Sequence, residues 1–184
     1  MSDFINKILE ENKKFVEDEK YKNFLTTKYP DKKTVIISCM DTRLTELLPA
    51  ALNFKNGDVK IIKNAGGVVN HPFGSVVRSL MVAIYELGVD KILVIGHYDC
   101  GMQGLEPKKI IDKMLQYNIK QETIDVVRSC GVDLESWLEG FNNVEESVKS
   151  TVDTIKNHPL IPDNIEIHGL IMDPATGELT YLDI

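Results

Sequence analysis

The sequence predicts an α/β protein with a mainly parallel central sheet flanked by helices, built from about four parallel strands and one antiparallel strand at the edge. Short continuous runs rich in β-branched residues, at 34–38, 59–63 and 91–95, are typical of strands that are buried on both faces. Segments with apolar residues at helical spacing, at 44–52 and 75–87, separate these runs. This alternation of strands and helices favours parallel pairing with helices on both faces of the sheet.

The N-terminal segment, residues 1–28, is predicted to be a helical arm that lies on the rest of the protein. Its apolar residues recur at mostly helical spacing, and a Pro-containing break at residues 29–31 separates it from the first strand. A chain of 184 residues is long enough for one well-buried domain and short for two. We therefore expect a single domain that spans residues 1–184.

The second half of the chain is predicted to be mostly helical before it returns to the sheet. Residues 122–153 carry eight acidic and two basic side chains, which indicates a solvated helical surface. An amphipathic helix is expected at 144–157 and a fourth strand at 165–172. A turn then leads to residues 178–183, which are predicted to form the hairpin partner at the edge of the sheet.

Composition excludes several classes of partner. The net charge is −7, and this acidic balance disfavours nucleic acids and anionic membranes, which require a basic surface. No run of the sequence approaches the roughly 18 apolar residues that suggest a membrane span, and the charged N-terminus does not resemble a signal peptide. Three cysteines are too few for a disulfide framework, so we expect free thiols and a cytoplasmic location.

Three polar segments, 38–43, 63–68 and 95–101, each begin where a predicted strand ends. In open parallel sheets, ligands bind outside the carboxyl ends of the strands. We therefore expect these segments to meet at one edge of the sheet although they are distant in sequence.

A zinc site is the chemistry that these segments predict. Cys39, His97 and Cys100 supply two thiolates and one imidazole, a donor set that suits tetrahedral Zn²⁺. Three protein ligands leave one position open, whereas a structural site is normally closed by four. Candidates for a fourth ligand are Asp41, Asp99 and Cys130.

Asp41 and Arg43 are the candidate catalytic pair. Their spacing allows a bidentate interaction that keeps the carboxylate away from the metal. The open position is then free for water, which zinc converts into a hydroxide nucleophile near neutral pH. The ionised carboxylate of Asp41 would orient that nucleophile. A further hypothesis is that Asp41 switches between Arg43 and the metal at lower pH, since it lies only two residues from Cys39.

Together these motifs resemble the β-class carbonic anhydrases. The resemblance is carried by Cys-x-Asp-x-Arg at 39–43, Asn-Ala-Gly at 64–66 and Gly-His-x-x-Cys-Gly at 96–101. It implies zinc held by the two cysteines and the histidine, and reversible hydration of carbon dioxide to bicarbonate and a proton. The short chain and the Asp-Cys-Gly-Met form of the third motif resemble the compact, archaeal-type branch of that family.

The resemblance also bears on substrate and assembly. Carbon dioxide would lie against an apolar wall near Ala65, Gly66 and Val68 while the zinc-bound hydroxide attacks it. A homodimer or higher homo-oligomer is implied, with the N-terminal helices embracing the partner. Two alternatives remain open: a hydrolase of carbon disulfide or carbonyl sulfide on the same zinc scaffold, and a non-catalytic protein with a closed structural zinc.

Overall fold

The protein folds around one five-stranded sheet in the order β2-β1-β3-β4-β5, as described by a computed structural model for residues 2–184. The first four strands of this order pair in parallel, and β5 pairs antiparallel with β4 at the edge. The predicted fold class is therefore confirmed. The strands are β1 Thr34–Cys39, β2 Val59–Asn64, β3 Lys91–His97, β4 Glu166–Met172 and β5 Leu179–Leu182.

The register of the strands brings the predicted functional segments to one edge. β1 lies between β2 and β3, and all six of its residues are buried, as expected for a strand covered on both faces. Ser38 pairs with Ile95 of β3, and Cys39 pairs with Asn64 of β2. Since these strands are parallel and in step, the loops that follow them leave the sheet side by side.

Helices cover both faces of the sheet, as the alternating pattern predicted. On one face the core contains Val35 and Ile37 of β1, and on the other face it contains Ile36, since successive side chains of a strand point to opposite faces. The first core includes residues of α3 and α7, and the second includes residues of α2. These helices are α2 Leu44–Ala51, α3 Ser75–Tyr85 and α7 Val144–Lys156.

A group of three shorter helices lies between β3 and α7. They are α4 Pro107–Gln116, α5 Gln121–Ser129 and α6 Leu134–Leu138. They share a small apolar cluster of their own around Ile111, Ile124 and Leu134. The exposed acidic side chains Glu122, Asp125 and Glu135 of α5 and α6 belong to the segment 122–153, for which the composition predicts a solvated helical surface.

The N-terminal helix α1, Asp3–Glu17, differs from expectation in its packing. The segment is helical and is followed by a short 3₁₀ helix at Lys20–Phe24, but none of the residues in α1 is buried. Its apolar stripe is exposed, with Phe4 at 70% and Leu9 at 51% relative accessibility. The prediction that this arm lies on the rest of its own chain is therefore wrong, because periodicity shows that a helix has an apolar face and not which chain covers it. No helix in residues 2–184 is long and apolar enough to cross a membrane.

Candidate metal centre

The three predicted ligands meet at the carboxyl edge of the sheet. Cys39 is the last residue of β1, His97 is the last residue of β3, and Cys100 follows in the next turn. All three side chains are buried, and their ligand atoms lie within 4.8 Å of one another. Residues 2–184 contain no other cluster of this kind, so the structure brings together the set that the sequence predicts.

The spacing of the two sulfur atoms matches a tetrahedral metal site. Two thiolates bound to zinc at about 2.3 Å and separated by a tetrahedral angle stand about 3.8 Å apart. The Cys39 and Cys100 Sγ atoms are 3.8 Å apart, and they are free thiols. The donor set and the spacing of the two sulfur atoms therefore fit Zn²⁺.

The imidazole of His97 is oriented for the same role. Its Nδ1 lies 2.8 Å from the carbonyl oxygen of Tyr98, and since a carbonyl only accepts, the proton sits on Nδ1. Nε2 then carries a free lone pair on the side of the thiols. It is buried and has no hydrogen-bond partner, and no other buried side-chain nitrogen or oxygen atom in residues 2–184 lacks one. A carbonyl that holds the second ring nitrogen is typical of metal-ligating histidines, and a metal ion would satisfy Nε2.

The Sγ atoms of Cys39 and Cys100 lie close enough for one thiol to donate a hydrogen bond to the other. The hydrogen bond from the Cys100 thiol lowers the pKa of Cys39 to about 4. The same hydrogen bond, together with burial, raises the pKa of Cys100. A divalent cation placed between the sulfur atoms would replace the proton of this hydrogen bond and stabilise both thiolates.

Asp41 and Arg43 form the predicted ion pair beside this cluster. The Arg43 Nε donates to Asp41 Oδ1 at 3.0 Å and Nη2 donates to Oδ2 at 2.8 Å, while the backbone N–H of Arg43 also donates to Oδ1 at 2.9 Å. These hydrogen bonds lower the pKa of Asp41 to about 2. The carboxylate is consequently ionised at neutral pH, and its Oδ2 lies 3.9 Å from His97 Nε2.

The other candidates for a fourth ligand lie away from the cluster or are engaged elsewhere. Cys130 is exposed at the end of α5 and is not part of the cluster. The carboxylate of Asp99 accepts a hydrogen bond from Arg43 Nη1 at 2.8 Å. Asp41 Oδ2 lies 3.9 Å from His97 Nε2, and three hydrogen bonds hold the carboxylate to Arg43. The centre as described therefore has three protein ligands.

A cavity of about 350 Å³ opens at the candidate centre. Ala65 and Gly66, two of the three residues predicted to contact substrate, line it, whereas Val68 does not and instead lines a neighbouring cleft of about 310 Å³. The side chain of Asn64 holds this turn by accepting from Val68 N–H and donating to the Val68 carbonyl. The cavity is lined by Cys39, Met40, Asp41, Thr42, Ala65, Gly66, Cys100, Gly101 and Met102.

Two residues near the cavity, Met102 and Phe141, are not predicted as site residues from the sequence. Met102 lines it, and a side chain at Gly66 would meet Met102 and the Phe141 ring at 3.2–3.5 Å. Met102 is the last residue of the Asp-Cys-Gly-Met form of the third motif, so its proximity to the cavity could have been inferred from the sequence. Phe141 comes close to the cavity because its segment pairs with the loop after Cys100. The sequence carries no local signal for this long-range pairing.

The fold and this site define an α/β protein with a candidate Cys₂His zinc centre at the carboxyl ends of parallel strands. A family model described as carbonic anhydrase matches residues 34–179. The chain belongs to the β-carbonic anhydrase family, whose members are zinc-dependent.

Individual relatives agree with this assignment. A Bacillus subtilis protein provisionally named carbonic anhydrase YtiB is 53% identical over 97% of this chain and 95% of its own length. The crystal structure of β-carbonic anhydrase isoform I from Trichomonas vaginalis is 36% identical, with a TM-score of 0.87 over 98% of this chain and 97% of that one. A carbon disulfide hydrolase from Acidithiobacillus thiooxidans is 26% identical over 78% of this chain and 74% of its own length.

Proposed function

We propose that the protein catalyses the reversible hydration of carbon dioxide to bicarbonate and a proton at a zinc ion held by Cys39, His97 and Cys100. The observation that carries this proposal is the juxtaposition of three metal donors, including the otherwise unpartnered His97 Nε2, with the ionised Asp41–Arg43 pair. Zinc with three protein ligands supplies a nucleophile from water near neutral pH. A small cavity next to these groups is a suitable space for a small neutral substrate.

Asp41 and Arg43 would act on the attacking water and not on carbon dioxide itself. Each oxygen of a carboxylate has two acceptor positions, so Asp41 can accept a further hydrogen bond while it remains paired with Arg43. Because its pKa is lowered to about 2, Asp41 stays an acceptor throughout the neutral range. Arg43 keeps that carboxylate ionised and fixes its direction, which would orient the attacking lone pair toward substrate.

The substrate would rest against the apolar part of the cavity. Ala65, Gly66 and Met102 line this part, and none of their side chains carries a polar hydrogen-bonding group. Val68 lies outside the cavity, so we do not assign it a contact with substrate.

The proposal is tested by zinc analysis combined with stopped-flow carbon dioxide hydration. We expect one zinc ion per chain, and we expect Arg43→Ala and Asp41→Ala to lose hydration while they retain zinc. Arg128→Ala is the matched control, since Arg128 is also an exposed guanidinium paired with two carboxylates. Full hydration activity in Arg43→Ala would contradict the assigned role, and a zinc-loaded wild-type protein without hydration activity would overturn the proposal.

A second candidate function is hydrolysis of carbon disulfide or carbonyl sulfide. It is favoured by the similarity to carbon disulfide hydrolases at 26–27% identity. Sulfide release from each compound, measured beside carbon dioxide hydration on the same zinc-loaded sample, separates the two reactions. A third possibility is a non-catalytic protein with a structural zinc. In that case Asp41 would be a permanent fourth ligand, and Arg43→Ala would leave the function of the protein unchanged.

We also propose a cytoplasmic homodimer or higher homo-oligomer of the compact, archaeal-type branch. The exposed apolar stripe of α1 supports assembly, because Phe4, Ile8 and Leu9 have no partner within the described part of their own chain that buries them. Sedimentation of the wild type and of Ile8→Glu tests this: the charged variant should shift toward the monomer. The assignment to this branch rests on the third motif, and the proposed location rests on the free thiols.

A further inference from the structure

Arg43 joins two loops that carry metal donors. One loop follows β1 and contains Asp41, and the other follows β3 and contains Asp99 between the two ligands His97 and Cys100. Arg43 Nη1 donates to the Asp99 carboxylate at 2.8 Å, and Nη2 donates to the Asp99 carbonyl oxygen at 2.9 Å. In the described part of the chain, these two hydrogen bonds are the side-chain hydrogen bonds between the loop after β1, residues 40–43, and the loop after β3, residues 98–101.

The backbone of Asp99 is shaped for this contact. Its φ is +52°, in the left-handed region that few residues other than glycine adopt. Aspartate tolerates this conformation better than most residues, and here it places both the main-chain and the side-chain acceptor on one guanidinium. The carboxylate is 84% exposed, so it has no role in the core that would explain its position.

The orientation of Asp41 depends on the same guanidinium. Arg43 donates to both oxygens of Asp41, so a rotation of the guanidinium plane would turn that carboxylate as well. The contacts with Asp99 fix the plane from the opposite side. Without them, the Arg43 side chain would be held only by a residue two positions away on its own loop.

We propose that Asp99 is a positioning residue, which holds the Arg43 guanidinium and thereby the Asp41 carboxylate in a fixed orientation relative to the metal ligands. Its catalytic consequence rests on the proposed function, whereas its effect on Arg43 does not. A guanidinium shared by two carboxylates and a carbonyl has fewer accessible orientations, and pre-set orientation is a main source of rate enhancement in such sites.

The variant Asp99→Gly distinguishes the positioning of Arg43 from a role in which Asp99 only shapes the turn. Glycine adopts a φ of +52° without strain, so a residue needed only for the turn would be replaced with full activity and unchanged or higher stability. If Asp99 positions Arg43, the same variant should lower kcat for hydration about tenfold with little change in KM. Asp99→Asn keeps an acceptor oxygen and should recover most of that loss.

The decisive readout is the mobility of Arg43, measured by the ¹⁵N relaxation order parameter of its Nε–H group. We expect the order parameter to fall in Asp99→Gly and to recover in Asp99→Asn, in both the zinc-loaded and the metal-free protein. Asp125→Asn is the matched control, because Asp125 is an exposed carboxylate paired with Arg128 far along the chain. That variant should leave kcat and the Arg43 order parameter unchanged.

Two results would overturn the proposal. The first is a wild-type order parameter for Arg43 in Asp99→Gly. The second is a loss of activity that only follows a loss of zinc or of folded protein, as metal analysis and thermal unfolding would reveal. If the wild type itself hydrates no carbon dioxide, the proposed function fails, and the order parameter alone then decides whether Asp99 holds Arg43.

Discussion

Replacement of Gly140 by alanine should release zinc by displacing the loop that carries Cys100. The segment around Gly140 is hydrogen-bonded to this loop: Gly140 N–H donates to the Leu105 carbonyl at 3.0 Å and Phe141 N–H donates to the Met102 carbonyl at 3.2 Å. A Cβ atom at Gly140 would stand 2.0 Å from the Met102 oxygen. Ordinary C–H···O contacts are about 3.3–3.6 Å long, so the two segments must separate by about 1.3 Å or more.

That separation has a thermodynamic and a local consequence. Loss of the two hydrogen bonds costs about 2 kcal/mol, which for a chain of this length corresponds to a fall of about 4–8 °C in the melting temperature. Met102 lies two residues after the ligand Cys100, so a displacement of Met102 also shifts the Cys100 sulfur relative to Cys39 and His97. Loss of the contacts that orient a metal ligand weakens metal affinity about 10–100-fold.

Gly169→Ala is the matched control for this experiment. A Cβ there would approach Ile184 Cδ1 at 2.6 Å and Val148 Cγ1 at 2.9 Å, so it strains flexible side-chain ends and leaves the metal loop alone. Zinc release to a chelator and thermal unfolding with and without zinc should show both variants destabilised, with rapid zinc release confined to Gly140→Ala. Wild-type zinc retention in Gly140→Ala would refute the reasoning.

Three further predictions concern the ligands, the ion pair and the core. Cys100→Ser should lose zinc in metal analysis and with it the zinc-dependent rise in melting temperature, because metal binding and folding are coupled. Asp41 has a pKa of about 2 in the folded chain and about 3.9 when unfolded, so its pairing with Arg43 stabilises the fold above about pH 4 and this stabilisation is lost as the pH falls toward 2; urea unfolding of metal-free wild type and Asp41→Asn should therefore converge over that interval, and a constant difference would contradict it. Ile155→Val removes one methylene from a side chain with 0% exposure, which should lower the free energy of unfolding by about 0.5–1.5 kcal/mol in urea titrations without changing zinc retention.

Most of the fold was predictable because its signals are local. The buried strands read as continuous apolar runs, and the helices between them have one apolar face each, so alternation alone indicated a parallel sheet. The packing of α1 was not predictable in the same way. An apolar stripe indicates that one face of the helix is stabilised by burial. Whether the same chain or a second copy covers this face depends on long-range contacts, which periodicity does not encode.

In the candidate site, too, local sequence signals predict some residues, whereas tertiary contacts alone place others. Cys39, His97 and Cys100 were predictable as a set because strand ends of a parallel sheet converge. The contribution of Phe141 was not, since its segment reaches the Cys100 loop only through tertiary hydrogen bonds. The sequence makes Asp99 a candidate fourth ligand, whereas the structure shows that its carboxylate accepts a hydrogen bond from Arg43.

The spacing of the motifs follows from the geometry of strand ends. Asp41 lies two residues beyond Cys39, and Arg43 already has the helical conformation that precedes α2, which lets its backbone and side chain turn back onto Asp41. After β3, the left-handed residue Asp99 reverses the chain so that Cys100 returns toward Cys39. An inserted residue between His97 and Cys100 would therefore separate the ligands while leaving every donor in the sequence. Such a variant should fold around an intact sheet and bind no zinc, which metal analysis and circular dichroism would establish together.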